Sequence, residues 1–144
     1  MKKKNIIVIF CVDDDLLFLK FFEEEFIKDK TFKIVSFSSG ENCIENLSLK
    51  PDLIVLDYFL EGLNDNVMNG LKTLDTIKSL HHKIPVIMLS SQDSIEVAVN
   101  CIHHEAYDYV VKSETAFLRL RKTISSILLF RKMEAQIKKY GDNC

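Results

Sequence analysis

The chain has 144 residues, of which 47% are hydrophobic and 28% charged, and its formal net charge is -2. This balance is typical of one soluble globular domain, predicted to span residues 1–144. The low net charge gives no reason to expect direct nucleic-acid binding, and no apolar stretch approaches the ~20 residues of a membrane span.

Cysteine usage and the amino terminus indicate a cytoplasmic protein. The four cysteines form no C-x-x-C pair, so we interpret them as reduced thiols. The basic start is followed by an apolar run that ends at Asp13 without a small-residue cleavage site. This pattern argues against a signal peptide.

Strand and helix patterns alternate along the chain. Short apolar runs rich in Val and Ile predict buried strands at about 5–12, 32–37, 52–56, 86–89 and 108–111. Helices are predicted after residue 15, from 40 to about 47, and over 70–80, 94–104 and about 115–139. The first helix is expected to bury one apolar side, formed by Leu16, Leu17, Leu19, Phe22 and Phe26. This alternation predicts an α/β three-layer sandwich around a parallel five-stranded sheet.

Polar residues stand at the carboxyl ends of four predicted strands. They are Asp13 and Asp14, Asp57, Ser90 and Lys112. Sites in parallel sheets form beyond these strand ends, so the three acids are expected to meet at one edge. Clustered carboxylates repel one another unless a cation neutralises them, and hard oxygen ligands suit Mg²⁺. With a hydroxyl and an ammonium nearby, this set favours phosphoryl transfer onto a carboxylate.

Several short motifs in a fixed order carry a resemblance to a known family. They are Val12-Asp13-Asp14, Pro51-Asp52-Leu53-Ile54-Val55-Leu56-Asp57, Asn69-Gly70, Ile84-Pro85-Val86-Ile87-Met88-Leu89-Ser90 and Tyr109-Val110-Val111-Lys112. Through them, residues 5–130 resemble the receiver domain of two-component response regulators, of the chemotaxis-regulator type. The resemblance implies the flavodoxin-like strand order 2-1-3-4-5.

The resemblance also implies a metal site and a phosphoacceptor. Asp57 would accept the phosphoryl group. Mg²⁺ would be bound by Asp57, directly by Asp14, partly through water by Asp13, and by the backbone carbonyl of Phe59. Asp15, which follows the acid pair, is better explained as a helix N-cap than as a ligand.

Other positions would act on the phosphoryl group or respond to it. Ser90 would meet its oxygens, and Lys112 would pair first with the acceptor carboxylate and then with its phosphate. Tyr109 occupies the aromatic switch position of the family. Phe59 and Gln92 are expected to tune the phosphate lifetime, because both should flank the route of an attacking water.

Two positions depart from the family pattern. Glu61 replaces a usual proline, and Gly70 lies 13 positions after Asp57, which makes the intervening loop longer than usual. Ser113 follows Lys112, where the family usually has proline in a cis peptide. A cis bond without proline costs ~2.5–4 kcal/mol, so the usual cis geometry is not expected here.

The leading hypothesis is a stand-alone phosphoacceptor switch served by a sensor histidine kinase or a histidine phosphotransfer protein. It would catalyse only its own phosphorylation and slow dephosphorylation, so it is not otherwise an enzyme. Few residues follow Lys139, and the signal would therefore pass to a downstream protein by contact.

Three other functions compete with this hypothesis. A phosphorylation-independent interaction module predicts a damaged site, but every key residue type is present. An aspartate-nucleophile phosphatase of the haloacid dehalogenase type resembles D-x-D, whereas Phe59 stands at the second position. A flavodoxin would bring a flavin phosphate against the acids at the first strand end, which would repel it.

The last predicted helix carries two apolar stripes. Phe117, Leu120, Ile124 and Ile127 are spaced to dock on the core. The second stripe comprises Leu128, Leu129, Phe130, Met133 and Ile137. Either this stripe folds back onto the same core, or it binds a partner or a second copy of the chain.

Overall fold

The computed structural model of the chain describes residues 5–60 and 68–141. Within these residues, five strands alternate with five α-helices, and a 3-10 helix covers Leu47–Leu49. The strands are β1 (Ile7–Val12), β2 (Phe32–Phe37), β3 (Leu53–Asp57), β4 (Val86–Ser90) and β5 (Asp108–Val111). The helices are α1 (Leu16–Phe26), α2 (Gly40–Glu45), α3 (Gly70–Leu80), α4 (Ile95–His103) and α5 (Ala116–Gly141).

The strands form one parallel sheet in the order β2-β1-β3-β4-β5. The predicted flavodoxin-like order is therefore confirmed. Successive strand residues point to opposite faces, so each central strand serves two cores. Ile9 and Cys11 of β1 pack toward α1 and α5, whereas Phe10 and Val12 pack toward α2, α3 and α4. Burial on both faces explains why the strands appear as continuous apolar runs.

Side-chain caps set the starts of four helices. Asp15, Ser39, Asn69 and Ser94 each accept a backbone N–H from the first turn of the helix that follows. Such caps satisfy donors that have no partner within the helix. The interpretation of Asp15 as an N-cap is confirmed, because its carboxylate accepts the N–H groups of Leu17 and Phe18.

The predicted apolar side of α1 is partly wrong. Leu19, Phe22 and Phe26 are buried, but Leu16 and Leu17 are 70% and 59% exposed. Both leucines lie in the first turn of α1, directly after the Asp15 cap, whereas the three buried residues lie further along the helix.

Gly70 allows α3 to begin against the end of β3. A Cβ at this position would lie 2.3 Å from the carbonyl oxygen of Asp57 and 2.6 Å from that of Tyr58. Backbone atoms cannot yield as a flexible side chain can, so this approach requires glycine. The prediction of a long loop, including Glu61, falls on residues 61–67, which lie outside the described residues.

Helix α5 covers the sheet and then continues past it. Leu120, Ile124 and Ile127 are buried and Phe117 is packed against the same core, as predicted. The Arg131 guanidinium donates to Asp52 just before β3, at 2.8 Å. From residue 132 to 141 every residue is exposed.

In the second apolar stripe of α5, one residue packs on the core and four do not. Leu128 is packed against the core, whereas the other four side chains are exposed: Leu129, Phe130, Met133 and Ile137. The prediction that the stripe folds back onto the same core is therefore wrong for those four.

Among the described residues, no helix combines the length and apolar character that crossing a membrane requires.

Candidate functional site

The predicted site residues meet at the carboxyl edge of the sheet. The side-chain oxygens of Asp13, Asp14 and Asp57 lie within 4.8 Å of one another. Asp13 follows β1 directly, and Asp57 is the last residue of β3. Asp13 and Asp57 are buried, whereas Asp14 is exposed and gives the cluster an open side.

Both carboxylate oxygens of Asp13 have partners. Oδ1 accepts the backbone N–H of Asp15 at 2.9 Å, which ties the carboxylate to the turn before α1. Oδ2 accepts the Lys112 ammonium at 2.6 Å. These two bonds orient the carboxylate and leave each oxygen a further acceptor position, so Asp13 can still face a cation.

Lys112 lies on the side of the cluster formed by β5. Its Nζ is 3.7 Å from Asp57 Oδ1, a longer distance than its 2.6 Å contact with Asp13. The predicted pairing with Asp57 is thus present, but it is secondary in this structure. Burial lowers the pKa of Lys112, but the hydrogen bond and charge of Asp13, with the charge of Asp57, outweigh burial and raise it overall. The ammonium therefore keeps its charge.

Asp57 is held in an environment that disfavours its charge. Burial is the largest cause, the neighbouring Asp13 carboxylate adds to it, and together they raise the pKa of Asp57 to about 6. Lys112 and the Phe59 N–H, which donates to Oδ1 at 3.2 Å, act in the opposite direction. One ammonium is therefore not enough to neutralise the cluster.

The donor set fits a divalent cation with hard ligands. Three carboxylates supply oxygen atoms within reach of one ion, and their mutual repulsion would fall once it is bound. Burial and the Asp13 carboxylate raise the pKa of Asp57, so a cation bound beside it would favour its charged form. The Phe59 carbonyl remains a predicted ligand, and the Phe59 ring packs edge-on against Tyr58 with centroids 5.0 Å apart.

The side chains of Ser90 and Tyr109 both form hydrogen bonds with the backbone of one loop residue, Gln92. Ser90 is the buried last residue of β4, and its Oγ accepts the N–H of Gln92 at 3.1 Å. The Tyr109 hydroxyl donates to the carbonyl oxygen of the same Gln92. Ser91 is exposed, so Ser90 is the hydroxyl that faces the interior. These bonds use the Gln92 backbone, so no side-chain pattern could have predicted them.

The Tyr109 ring connects this loop to a surface cavity. The cavity has a volume of about 400 Å³ and is lined by Ala98, Val99, Ile102, His103, Asp108 and Tyr109. It lies between α4 and β5. The Tyr109 side chain therefore contacts both the Gln92 loop and this surface cavity.

The sequence did not predict the aromatic neighbour of Lys112, and it left open the isomer of the peptide bond that follows Lys112. The Phe18 ring lies 4.6 Å from Lys112 Nζ, although its position in α1 is equally typical of an ordinary core residue. No cis peptide bond occurs within 5–60 and 68–141, so the bond between Lys112 and Ser113 is trans.

Comparisons with known proteins agree on one family. The family model for the response regulator receiver domain matches residues 9–125. The receiver domain of NtrX from Brucella abortus has a solved structure with a TM-score of 0.71 at 29% identity, covering 83% of this chain and 97% of that one.

Two curated relatives are much longer proteins. A protein-glutamate methylesterase/protein-glutamine glutaminase of Clostridium acetobutylicum is 31% identical over 121 residues, covering 81% of this chain and 33% of that protein. The nitrogen assimilation regulatory protein NtrX of Azorhizobium caulinodans is 43% identical over 63 residues, covering 44% of this chain and 13% of that protein. The chain spans a third or less of the length of either relative.

Proposed function

The chain belongs to the response regulator receiver domain family, and from this premise we propose that Asp57 is its phosphoacceptor. The observation that carries the proposal is the placement of a buried carboxylate beside an acid pair and within 3.7 Å of an ammonium. The donor is a phosphohistidine on a sensor kinase or a phosphotransfer protein. The product is an acyl phosphate on Asp57, which switches contacts with a downstream protein.

The transfer exchanges one bond for another. An oxygen of the Asp57 carboxylate forms a bond to phosphorus as the bond from phosphorus to the donor imidazole breaks, and the imidazole leaves with the electron pair. Lys112 offsets the repulsion between carboxylate and phosphoryl oxygens and orients the incoming group. When held by Asp13, Asp14, Asp57 and the Phe59 carbonyl, Mg²⁺ supplies further charge neutralisation.

The switch follows from the bonds at Gln92. A phosphoryl group on Asp57 adds roughly one to two negative charges and new acceptor oxygens, by analogy with other phosphorylated side chains. The Ser90 hydroxyl turns toward those oxygens and leaves the Gln92 N–H without its partner. Because Tyr109 holds the same residue, its ring and the cavity between α4 and β5 respond together.

A protein donor also needs a surface beside the site. Leu16 and Leu17 at the start of α1, close in the chain to the acid pair, and Phe21 one turn further along are more than half exposed. Such an apolar patch would bury readily against a protein, whereas a small phosphodonor gains little from it. We assign this patch to the phosphohistidine protein.

The remaining parts of the proposal concern the protein as a whole. We propose that the chain acts in the cytoplasm as a stand-alone regulator, and that the exposed stripe of α5 mediates self-association or partner binding. Immunoblotting of the native protein tests stand-alone status, because a mass far above 16.7 kDa would show a further domain. A phosphorylation-independent module is less well supported, since the site is assembled rather than damaged.

The central test is labelling with a small phosphodonor, with and without Mg²⁺. The intact chain should acquire an acid- and base-labile acyl phosphate, cleaved by hydroxylamine, only with Mg²⁺, and Asp57→Asn should acquire none. Asp14→Ala should lose most Mg²⁺ binding and most labelling. Undiminished labelling of Asp57→Asn would show that another residue is the acceptor.

A further inference from the structure

The Lys112 ammonium is enclosed by three groups that come from separate parts of the fold. Asp13 Oδ2 lies at 2.6 Å and Asp57 Oδ1 at 3.7 Å. On another side, the Phe18 ring has its centroid 4.6 Å from Nζ, a distance at which a cation is attracted to an aromatic face. The side chain of Lys112 is only 20% exposed, so water screens these contacts incompletely.

Phe18 is itself held in place from two directions. The Asp15 carboxylate accepts its backbone N–H at 3.3 Å, which fixes the first turn of α1. Its ring lies in an aromatic cluster between α1 and α5, with centroids 6.4 Å from Phe22 and 5.8 Å from Phe117. The ring is therefore a fixed surface rather than a mobile neighbour.

Without the Phe18 ring, the Lys112 side chain could turn into a neighbouring cavity. A cavity of about 270 Å³ lies beside it, lined by Phe18, Lys112, Ser113, Glu114, Ala116 and Phe117. A lysine has a flexible four-carbon stem, and the exposed Glu114 carboxylate offers a competing partner in the same cavity. Loss of the ring would let the ammonium leave the acid cluster.

We propose that Phe18 is a positioning residue, whose ring holds the Lys112 ammonium against Asp13 and Asp57 and away from the neighbouring cavity. The proposal rests on the proposed function, because it assigns Phe18 to the same phosphoacceptor site. Phe18→Leu keeps an apolar side chain but removes the aromatic face, whereas Phe18→Tyr keeps that face. Phosphorylation of Asp57 by a small donor should slow about three- to tenfold in the leucine variant and stay within about twofold in the tyrosine variant.

The decisive readout is the NMR spectrum of Lys112 in the full chain with labelled lysine. Protons near an aromatic face are shielded, so the Lys112 side-chain signals next to Nζ should move downfield in Phe18→Leu and keep their positions in Phe18→Tyr. Phe26→Leu is the matched control, because it removes a ring of the same cluster that packs on Phe22 and Phe117 and does not line the cavity beside Lys112. It should leave the Lys112 signals and the phosphorylation rate nearly unchanged.

The outcomes separate this proposal from the one it rests on. No labelling of the unsubstituted chain would overturn both. Normal labelling of that chain with unchanged Lys112 signals in Phe18→Leu would overturn the positioning role alone. Equal slowing in Phe18→Leu and Phe26→Leu would also overturn it, since the effect would then come from packing of the cluster.

Discussion

The negative charge on Asp57 should lower the free energy of unfolding of the metal-free protein, and Asp57→Asn should remove this loss. The causes that raise the pKa of Asp57 from an ordinary 3.8 to about 6 are burial first and then the Asp13 carboxylate. A group whose pKa is raised on folding binds its proton more tightly in the folded state. Stability is then greatest below the unfolded pKa and is lost as the pH rises through the folded one.

The size of the effect follows from the two pKa values. The penalty is about 1.5 kcal/mol at pH 5 and about 3 kcal/mol at pH 8, where the carboxylate is ionised in both states. The asparagine variant carries no charge at this position. The free energy of unfolding of Asp57→Asn minus that of the unsubstituted chain should therefore grow by about 1.5 kcal/mol between pH 5 and pH 8.

Urea denaturation in EDTA measures this difference. Far-ultraviolet circular dichroism is the suitable signal, because the chain contains no tryptophan. Asp93→Asn is the control for loss of an exposed carboxylate and should not reproduce the pH-dependent change. A difference between Asp57→Asn and the unsubstituted chain that stays constant from pH 5 to pH 8 would refute the electrostatic description of Asp57. Added Mg²⁺ should stabilise the unsubstituted chain at pH 8 more than the variant.

Three further predictions address the switch, the phosphate lifetime and the long helix. Tyr109→Phe removes the hydroxyl that holds the Gln92 carbonyl, so it should cost about 1 kcal/mol of stability or less and leave phosphorylation largely unchanged. It should also reduce the amide shift changes that a phosphoryl mimic causes in α4, and undiminished changes would exclude this link. Phe59→Asn should shorten the phosphate half-life by giving an attacking water a polar partner, and unchanged decay in both Phe59→Asn and Gln92→Ala would remove the tuning role. Sedimentation should show self-association of the intact chain, increased by the phosphoryl mimic, and a monomer for a chain ending at Arg131. Monomers throughout would leave only a role in binding a different protein.

Sequence patterns were enough to predict the sheet and the edge at which the acids lie. Short apolar runs rich in Val and Ile, such as Leu53 to Leu56, are typical of strands buried on both faces, and parallel strands present their carboxyl ends at a common edge. The predicted positions of Asp13, Asp57 and Ser90 at this edge follow from these two facts. The helix cap at Asp15 is also local, because its carboxylate and the N–H groups it accepts are only a few residues apart.

The pairing of the side chains at that edge depends on how distant elements pack together, which the sequence patterns did not show. Lys112 contacts Asp13, 99 positions earlier in the chain, more closely than it contacts Asp57. The Phe18 ring beside the ammonium has the helical spacing of an ordinary core residue, and Gln92 acts through its backbone. Periodicity states which face of an element is apolar. Distances between side chains on different elements depend on how those elements pack, and a contact of a few ångströms is fixed only when the whole sheet and its helices are in place.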